Sequence, residues 1–202
     1  MKENYQFLME QEIDSIKKTG EKPTLLMQCC CAPCSSAVLE RIKEHFRLKL
    51  YFYNPNIYPK EEYDKRLLQF DKLLESPNFK GDAEFVSSVY EPEVFDLSVK
   101  GLENEKEGGK RCEECFRLRL FKTAQKAKEI GADYFCTTLT VSPHKNSEIL
   151  NRIGKEAQDK YGVKFLFSDF KKKEGYKRST ELSNKIGLYR QNYCGCKYSI
   201  WF

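Results

Sequence analysis

Hydrophobic and polar positions follow two different periods along this chain, and they predict strands that alternate with helices. Short apolar or alternating runs fit buried strands, and longer segments with apolar residues every three or four positions fit amphipathic helices. The predicted strands are residues 24–27, 48–53, 83–86, 134–138 and 163–167. The predicted helices are residues 4–18, 35–46, 60–75, 91–100, 112–130 and 178–186, together with one that follows Asn146 and ends near Tyr161.

This alternation predicts an α/β fold in which a parallel sheet of about five strands is covered by helices on both faces. No internal repeat, low-complexity tract or Gly/Ser linker interrupts the pattern, so residues 1–202 are interpreted as a single domain. Functional sites in such folds lie at the carboxyl ends of the strands. Residues 29–34, Thr138 and Asp169 all follow predicted strands, and we expect them at that edge of the sheet.

The composition is that of an ordinary globular protein, with 40% hydrophobic and 32% charged residues. The first residues lack the apolar core of a signal peptide. The longest apolar stretch, residues 24–32, is interrupted by Gln28 and is too short to span a bilayer. These features predict a cytoplasmic protein without a membrane partner.

The charge is mildly basic, with 35 Lys and Arg against 30 Asp and Glu, which is compatible with a nucleic-acid partner without requiring one. Basic residues concentrate in two runs, within residues 110–122 and 171–178. Such runs either hold phosphates or form solvated helix faces, and the sequence leaves both interpretations open.

Nine cysteines are the main chemical feature of the chain. In a reducing compartment they indicate metal ligands or catalytic thiols more than a disulfide framework. Their spacing defines three clusters and one isolated residue: Cys29, Cys30, Cys31 and Cys34; Cys112 and Cys115; Cys194 and Cys196; and Cys136.

The clusters allow several kinds of site. The two C-x-x-C pairs, which begin at Cys31 and Cys112, could form a closed four-cysteine zinc site, or thiolates could bind a [4Fe–4S] cluster. A zinc site alone would leave Cys30 and the C-terminal pair unexplained. A disulfide between Cys194 and Cys196 would close a tight ring and would be easily reduced. Cys29 and Cys136 are interpreted as small buried hydrophobic residues.

Other site types find less support. The chain has no dinucleotide-binding or P-loop glycine motif and only two histidines, so metal ligands must come from sulfur and carboxylate. Asp169 is a candidate metal ligand or proton donor, and the alternative is a turn cap.

Four motifs stand in order along the chain. They are Cys30-Cys31-Ala32-Pro33-Cys34-Ser35, Arg111-Cys112-x-x-Cys115-Phe116-x-Leu118-Arg119-Leu120, Thr137-Thr138-Leu139-x-Val141-Ser142-Pro143-His144-Lys145-Asn146 and Tyr189-Arg190-Gln191-x-Tyr193-Cys194-Gly195-Cys196. Over residues 25–199, these motifs resemble the QueH family of cobalamin-independent epoxyqueuosine reductases. One departure is Gln28, where a histidine is expected before the double cysteine.

The resemblance implies a Rossmann-like fold of the adenine-nucleotide-hydrolase (HUP-like) type and the last step of queuosine synthesis. In that step the epoxide of epoxyqueuosine at the tRNA wobble position is reduced and water is released. It also implies a [4Fe–4S] cluster on Cys30, Cys31, Cys112 and Cys115, and a redox-active dithiol of Cys194 and Cys196.

Two further expectations follow from the chemistry of this reaction. Opening an epoxide needs an electrophile on oxygen, so Cys34 and Asp169 are candidate ligands of an additional mononuclear iron. Adjacent residues of a strand point to opposite sides, so the chain must leave strand geometry at Cys30 and Cys31 if both bind one cluster. The electron donor is left unidentified.

Two alternative functions remain at this point. One is a zinc-stabilised RNA-binding module without catalysis, and the other is a thiol–disulfide oxidoreductase that acts on proteins. A tRNA substrate would fit the basic runs, because phosphates are held by Lys and Arg while the modified base is turned out of its stack.

Overall fold

A computed structural model describes residues 3–199 and contains one five-stranded sheet in the order β3-β2-β1-β4-β5. Every neighbouring pair of strands is parallel, which confirms the predicted α/β architecture. The strands are β1 (Thr24–Gln28), β2 (Arg47–Tyr51), β3 (Ala83–Val86), β4 (Tyr134–Thr137) and β5 (Lys164–Phe165).

Helices connect the strands and cover both faces of the sheet, as expected for a Rossmann-like fold. They are α1 (Tyr5–Thr19), α2 (Ala32–Ile42), α3 (Lys60–Leu67), α4 (Gln69–Glu75), α5 (Pro92–Ser98), α6 (Lys110–Glu129), α7 (Ser147–Tyr161) and α8 (Gly175–Ile186), with 3₁₀ turns at Thr138–Val141 and Lys197–Ser199.

The two hydrophobic cores follow from the two-residue period of the strands. In β1, Leu25 and Met27 pack into one core with α1, α2 and α8, whereas Leu26 packs into the other with α6 and α7. All three side chains are fully buried. Each face of the sheet therefore stabilises its own helical layer by apolar burial.

Several helix boundaries differ from the sequence prediction. Helix α2 begins at Ala32, earlier than predicted, because the Cys31 sulfur accepts a hydrogen bond from the Cys34 amide and so caps the helix. The predicted helix over residues 60–75 is two helices that meet at Leu68. Helix α8 begins at Gly175, where a side chain would collide with the Phe170 carbonyl: an added Cβ would lie 1.8 Å from that oxygen.

The end of β1 sets the geometry of the first cysteine cluster. The strand ends at Gln28, and the chain bends at Cys30 before α2 begins. The expectation that the chain leaves strand geometry here is confirmed. Within residues 3–199, no helix is long and apolar enough to cross a membrane.

Candidate active site

A cavity of about 570 Å³ opens at the carboxyl ends of the strands, where the sequence predicted the site. Segments that follow β1, β2 and β4 line it, together with α3 and the C-terminal tail. The lining side chains that matter below are Cys30, Cys31, Cys34, Asn56, Arg66, Arg119, Lys145, Tyr176, Arg190, Gln191, Tyr193 and Cys194.

Three sulfurs of the first cluster meet on one wall of this cavity. The sulfur atoms of Cys30, Cys31 and Cys34 all lie within 4.8 Å of one another, and the Cys30 and Cys31 sulfurs are 3.9 Å apart. Cys31 is buried, whereas Cys30 and Cys34 are partly exposed. This arrangement could hold a metal ion, and it is the one such group of His, Cys, Asp and Glu side chains among residues 3–199.

Thr138 fixes the position of Cys30. Its hydroxyl accepts a hydrogen bond from the Cys30 amide at 3.0 Å and donates one to the Cys30 sulfur at 3.3 Å. Thr138 is fully buried, so this bridge from the end of β4 holds the sulfur in a defined place.

A buried network of side-chain amides holds the chain just before the first cysteine cluster. Gln28 accepts a hydrogen bond from the Thr137 hydroxyl at 2.8 Å and donates to the carbonyl of Tyr53 and to the Asn54 side chain. The side chain of Asn54 in turn donates to the Cys29 carbonyl at 2.8 Å. Gln28 therefore joins the ends of β1, β2 and β4, which gives a structural role to the residue that departs from the family pattern.

The three clustered thiols do not titrate alike. Hydrogen bonds from the thiols of Cys31 and Cys34 hold the pKa of Cys30 well below its usual value. The same bonds raise the pKa of Cys31 to about 12 and that of Cys34 well above its usual value. The cluster thus holds one stabilised thiolate, on Cys30, and thiolates are the form that binds metals.

The second cluster lies in the first turns of α6, where the charge of Cys194 acts on both sulfurs. The Cys112 sulfur accepts a hydrogen bond at 3.2 Å from the amide of Gly108, which lines the cavity. Cys115 is buried among Phe95, Val99 and Cys196. Burial raises the pKa of Cys112, and it raises that of Cys115 to about 11. Neither sulfur belongs to the three-sulfur group.

The third cluster, Cys194 and Cys196, reaches the same cavity through Cys194. The Cys194 sulfur lies 3.9 Å from the Lys145 ammonium. A hydrogen bond from the Cys196 thiol, together with the charges of Lys145 and Arg119, holds the pKa of Cys194 well below its usual value. The same hydrogen bond raises the pKa of Cys196. The pair therefore combines one thiolate with one protonated thiol, and both are free of disulfide bonds.

Two cations connect the three clusters electrostatically. Lys145 interacts most strongly with Cys194 and also with Cys30 and Cys115, and the negative charge of these sulfurs in their ionised form raises the pKa of its ammonium. Arg119 is buried, is held by Asn54 at 2.5 Å, and lowers the pKa of sulfurs in all three clusters. The cavity is thus a positively charged site built to hold thiolates.

Asp169 lies at the end of the segment that follows β5, as predicted, but it does not line the cavity. Its carboxylate accepts hydrogen bonds from Lys171 at 2.6 Å and from the Ser147 hydroxyl at 3.3 Å. It is absent from the three-sulfur group. The structure therefore brings Cys194 to the cavity and leaves Asp169 in an ion pair beside it.

The basic runs differ from a free phosphate track. In the first run, Arg111 and Arg119 are buried inside the protein. In the second run, four cations have acidic partners: Lys171 with Asp169, Lys173 with Glu10, Lys177 with Glu174, and Arg178 with Glu40 and Glu181. The pairs of Lys173, Lys177 and Arg178 are exposed, and exposed pairs of this kind contribute only about 0–1 kcal/mol each.

The sequence identifies the cysteines and Thr138 but not two further side chains that position the sulfurs. Cys29 and Cys136 are fully buried, which confirms their interpretation as small core residues, and burial raises the pKa of both thiols. Lys145 and Arg66 were not identified as site residues. Lys145 lies in a loop motif without metal-ligand spacing. The sequence pattern around Arg66 indicates a solvent-exposed charged residue on an amphipathic helix.

Comparison with known proteins identifies the family of this chain. Residues 25–201 match the family model for epoxyqueuosine reductase QueH. The chain is 44% identical to the epoxyqueuosine reductase QueH of Streptococcus pyogenes serotype M1, over 97% of this chain and 78% of that protein.

Two other bacterial proteins are also similar to this chain. The chain is 41% identical to the epoxyqueuosine reductase QueH of Staphylococcus epidermidis, over 97% of this chain and 84% of that protein. It is 39% identical to the protein of the same name from Thermotoga maritima, over 88% of this chain and 90% of that protein. With a family match over nearly the whole chain and relatives this similar, the chain belongs to the epoxyqueuosine reductase QueH family.

Proposed function

We propose that this protein is an oxidoreductase that reduces the epoxide of epoxyqueuosine at the wobble position of tRNA to queuosine. The observation that carries the proposal is the cavity in which Cys30, Cys31, Cys34 and Cys194 face a common space beside Lys145. The curated relatives, which are named epoxyqueuosine reductases, support the same reaction. Neither a zinc module without catalysis nor a protein thiol oxidoreductase is favoured by these relatives.

The tail dithiol can supply the electrons that the reaction needs. Reduction of the epoxide to an alkene breaks two C–O bonds, forms a C=C bond and releases water, so it consumes two electrons and two protons. Oxidation of the Cys194 thiolate and the Cys196 thiol to a disulfide gives up two electrons and one proton. The two changes balance when solvent supplies the second proton, and an external electron donor then restores the dithiol.

The chain's own residues support the start of this step. Lys145 stabilises the thiolate of Cys194, which is the reactive form of a thiol. Cys196 keeps its proton, and its hydrogen bond to Cys194 keeps the two sulfurs together. The pair is therefore poised for closure once substrate enters.

We further propose that the reaction depends on a [4Fe–4S] cluster and not on cobalamin. The thiol ligands that such clusters require are present, with Cys30 and Cys31 in the three-sulfur group and Cys112 and Cys115 on the adjoining helix. When bound, the cluster would exchange electrons with the site.

Cys34 is left as a candidate ligand of an additional iron. The role of Asp169 as ligand or proton donor stays a prediction, since Lys171 and Ser147 hold its carboxylate.

The tRNA partner is supported by the rim of the cavity. Tyr176 lines it with 44% of its surface exposed, and the guanidinium of Arg190 lies 5.6 Å from its ring centroid. Arg190 is held there by hydrogen bonds to Ser179 and Ser183. An exposed ring beside a fixed cation is a suitable platform for an unstacked base.

We therefore expect Tyr176→Ala to raise the KM for tRNA about tenfold with little change in kcat, because stacking on an aromatic ring contributes roughly 1–3 kcal/mol per base. Steady-state kinetics with substrate tRNA measures both constants. Phe7→Ala is the matched control, since Phe7 is an aromatic residue on α1 with 54% exposure that does not line the cavity. An unchanged KM in Tyr176→Ala would remove Tyr176 from the tRNA interface.

The proposed function is tested directly by its product. The protein is purified without oxygen, mixed with epoxyqueuosine-containing tRNA and a strong reductant, and the nucleosides are identified by mass. Queuosine is the expected product, and brown protein with equimolar iron and sulfide is the expected starting material. Colourless zinc protein would favour the RNA-binding module, and a complete cluster that yields no queuosine would defeat the assignment.

A further inference from the structure

One side chain outside the cysteine motifs holds the C-terminal tail against the cavity. Arg66, on α3, is 2% exposed and donates from Nη1 to the carbonyl oxygen of Cys194 at 3.0 Å. Its Nε donates to Glu62 at 2.7 Å, and Tyr189 also donates to that carboxylate. A guanidinium fixed in this way can hold a backbone segment at a defined distance.

The tail is shaped to receive this guanidinium. Gly195 has a φ of +101°, and a Cβ added there would lie 2.8 Å from both Nη1 and Nη2 of Arg66. The amide of Tyr58, in the loop before α3, donates to the Gly195 carbonyl at 2.8 Å. The tail is therefore held by this loop as well as by Arg66 of α3. A side chain at Gly195 would therefore push against the guanidinium of Arg66, and the positive φ of Gly195 disfavours any side chain at this position.

The remaining nitrogen of Arg66 has a different environment. Nη2 is buried and has no hydrogen-bond partner among the described residues, and Arg66 lines the cavity. Asn56 also lines it and carries a buried side-chain oxygen without a partner. Buried polar atoms of this kind are costly unless a ligand satisfies them.

We propose that Arg66 is a positioning residue for Cys194, which fixes the tail backbone so that the Cys194 sulfur lies beside Lys145 and faces the substrate. This inference rests on the proposed role of Cys194 as a reactive thiol. Arg66 carries out no covalent step. Its free Nη2 remains available to a polar group of the bound nucleoside, so tail position and substrate binding depend on the same side chain.

The test is a double-mutant cycle of Arg66→Ala and Gly195→Ala. In the presence of Arg66, the alanine at 195 collides with the guanidinium and is also strained by its positive φ. Without Arg66 only the strain remains. We therefore expect Gly195→Ala to lower kcat far more in the wild-type background than in Arg66→Ala, and Arg66→Ala alone to lower kcat by about a hundredfold, since a misplacement near 1 Å can have that effect.

A second readout does not depend on turnover. The rate of Cys194 alkylation by iodoacetamide, followed by mass analysis of the tail peptide, should change in Arg66→Ala and be partly restored in Arg66→Lys. Lys72→Met is the matched control. Lys72 donates to the Gly187 carbonyl at 2.6 Å, so this substitution also removes a contact between a cation and a backbone carbonyl, but outside the Cys-Gly-Cys segment. Thermal unfolding confirms that each variant is folded.

The outcomes separate the two proposals. Additive effects in the cycle, or unchanged Cys194 alkylation in folded Arg66→Ala protein, would overturn the role of Arg66. Wild-type protein that makes no queuosine while alkylation still responds to Arg66 would defeat the proposed function and leave the positioning role intact.

Discussion

Cys194→Ala protein, reduced and then freed of reductant, is expected to convert no epoxyqueuosine in a single turnover. The wild-type protein should convert about one tRNA per chain and form one disulfide between Cys194 and Cys196. The reason is the electron balance: within the proposed mechanism this dithiol is the two-electron store, and a lone Cys196 cannot form the disulfide. Loss of a covalent or redox thiol of this kind typically lowers turnover by at least about a thousandfold.

The measurement counts product and disulfide in the same sample. Nucleoside mass analysis gives the queuosine formed, and the mass of the tail peptide after blocking of free thiols gives the fraction of disulfide. Cys136→Ala is the matched control, since Cys136 is fully buried on β4 and its loss should only reduce stability, by about 1 kcal/mol. Full turnover by Cys194→Ala would exclude the tail as the source of electrons.

Lys145→Met is expected to lower activity less than Cys194→Ala does, and it tests the electrostatic stabilisation of the Cys194 thiolate. The ammonium lies 3.9 Å from the Cys194 sulfur and lowers the pKa of that thiol. Without it the pKa of Cys194 rises, so the rising limb of the pH–rate profile moves to higher pH. An opposite charge at this distance shifts a pKa by about one unit or more, so the limb should move by about one pH unit or more, with the rate about tenfold lower at pH values below it and recovered above it. A uniform loss at every pH would assign Lys145 another role.

The architecture of the sheet was predictable because its strands have a simple pattern. Strands β1 and β4 are buried on both faces and give near-continuous apolar runs, whereas β2 alternates between buried and more exposed positions. The order β3-β2-β1-β4-β5 depends on pairings between distant segments that no local pattern records. The early start of α2 was missed because its cap is a cysteine thiol, and cysteine is not among the usual capping residues.

The candidate site was predictable in its sulfurs and only partly in its supporting side chains. Cysteines have recognisable spacing, and their position after strands, like that of Thr138, places them at one edge of the sheet. Lys145 and Arg66 act through single contacts with a sulfur or with the tail backbone, and such contacts leave no repeated spacing in the sequence. The same limit applies to the second basic run, whose acidic partners include Glu10 and Glu40 from distant helices.

Cys112→Ala is expected to abolish the iron–sulfur cluster, whereas Cys34→Ala keeps it and loses only the additional iron. The prediction follows from the proposed ligand set of Cys30, Cys31, Cys112 and Cys115, which supplies the four thiolates that a [4Fe–4S] cluster requires. It is a demanding prediction, because the Cys34 sulfur, and not that of Cys112, lies within 4.8 Å of both Cys30 and Cys31. Iron and sulfide analysis of anaerobically reconstituted protein measures both variants.

Cys29→Ala is the control for this experiment. Cys29 adjoins Cys30, but its sulfur is fully buried and donates to the Met27 carbonyl at 3.3 Å, so the variant should retain all iron. The reverse result, with the cluster lost in Cys34→Ala and kept in Cys112→Ala, would assign the cluster to the three-sulfur group and one further ligand. In that case Cys112 and Cys115, whose pKa values are both raised by burial, would be structural thiols of α6, and the proposed additional iron would lose its sulfur ligand.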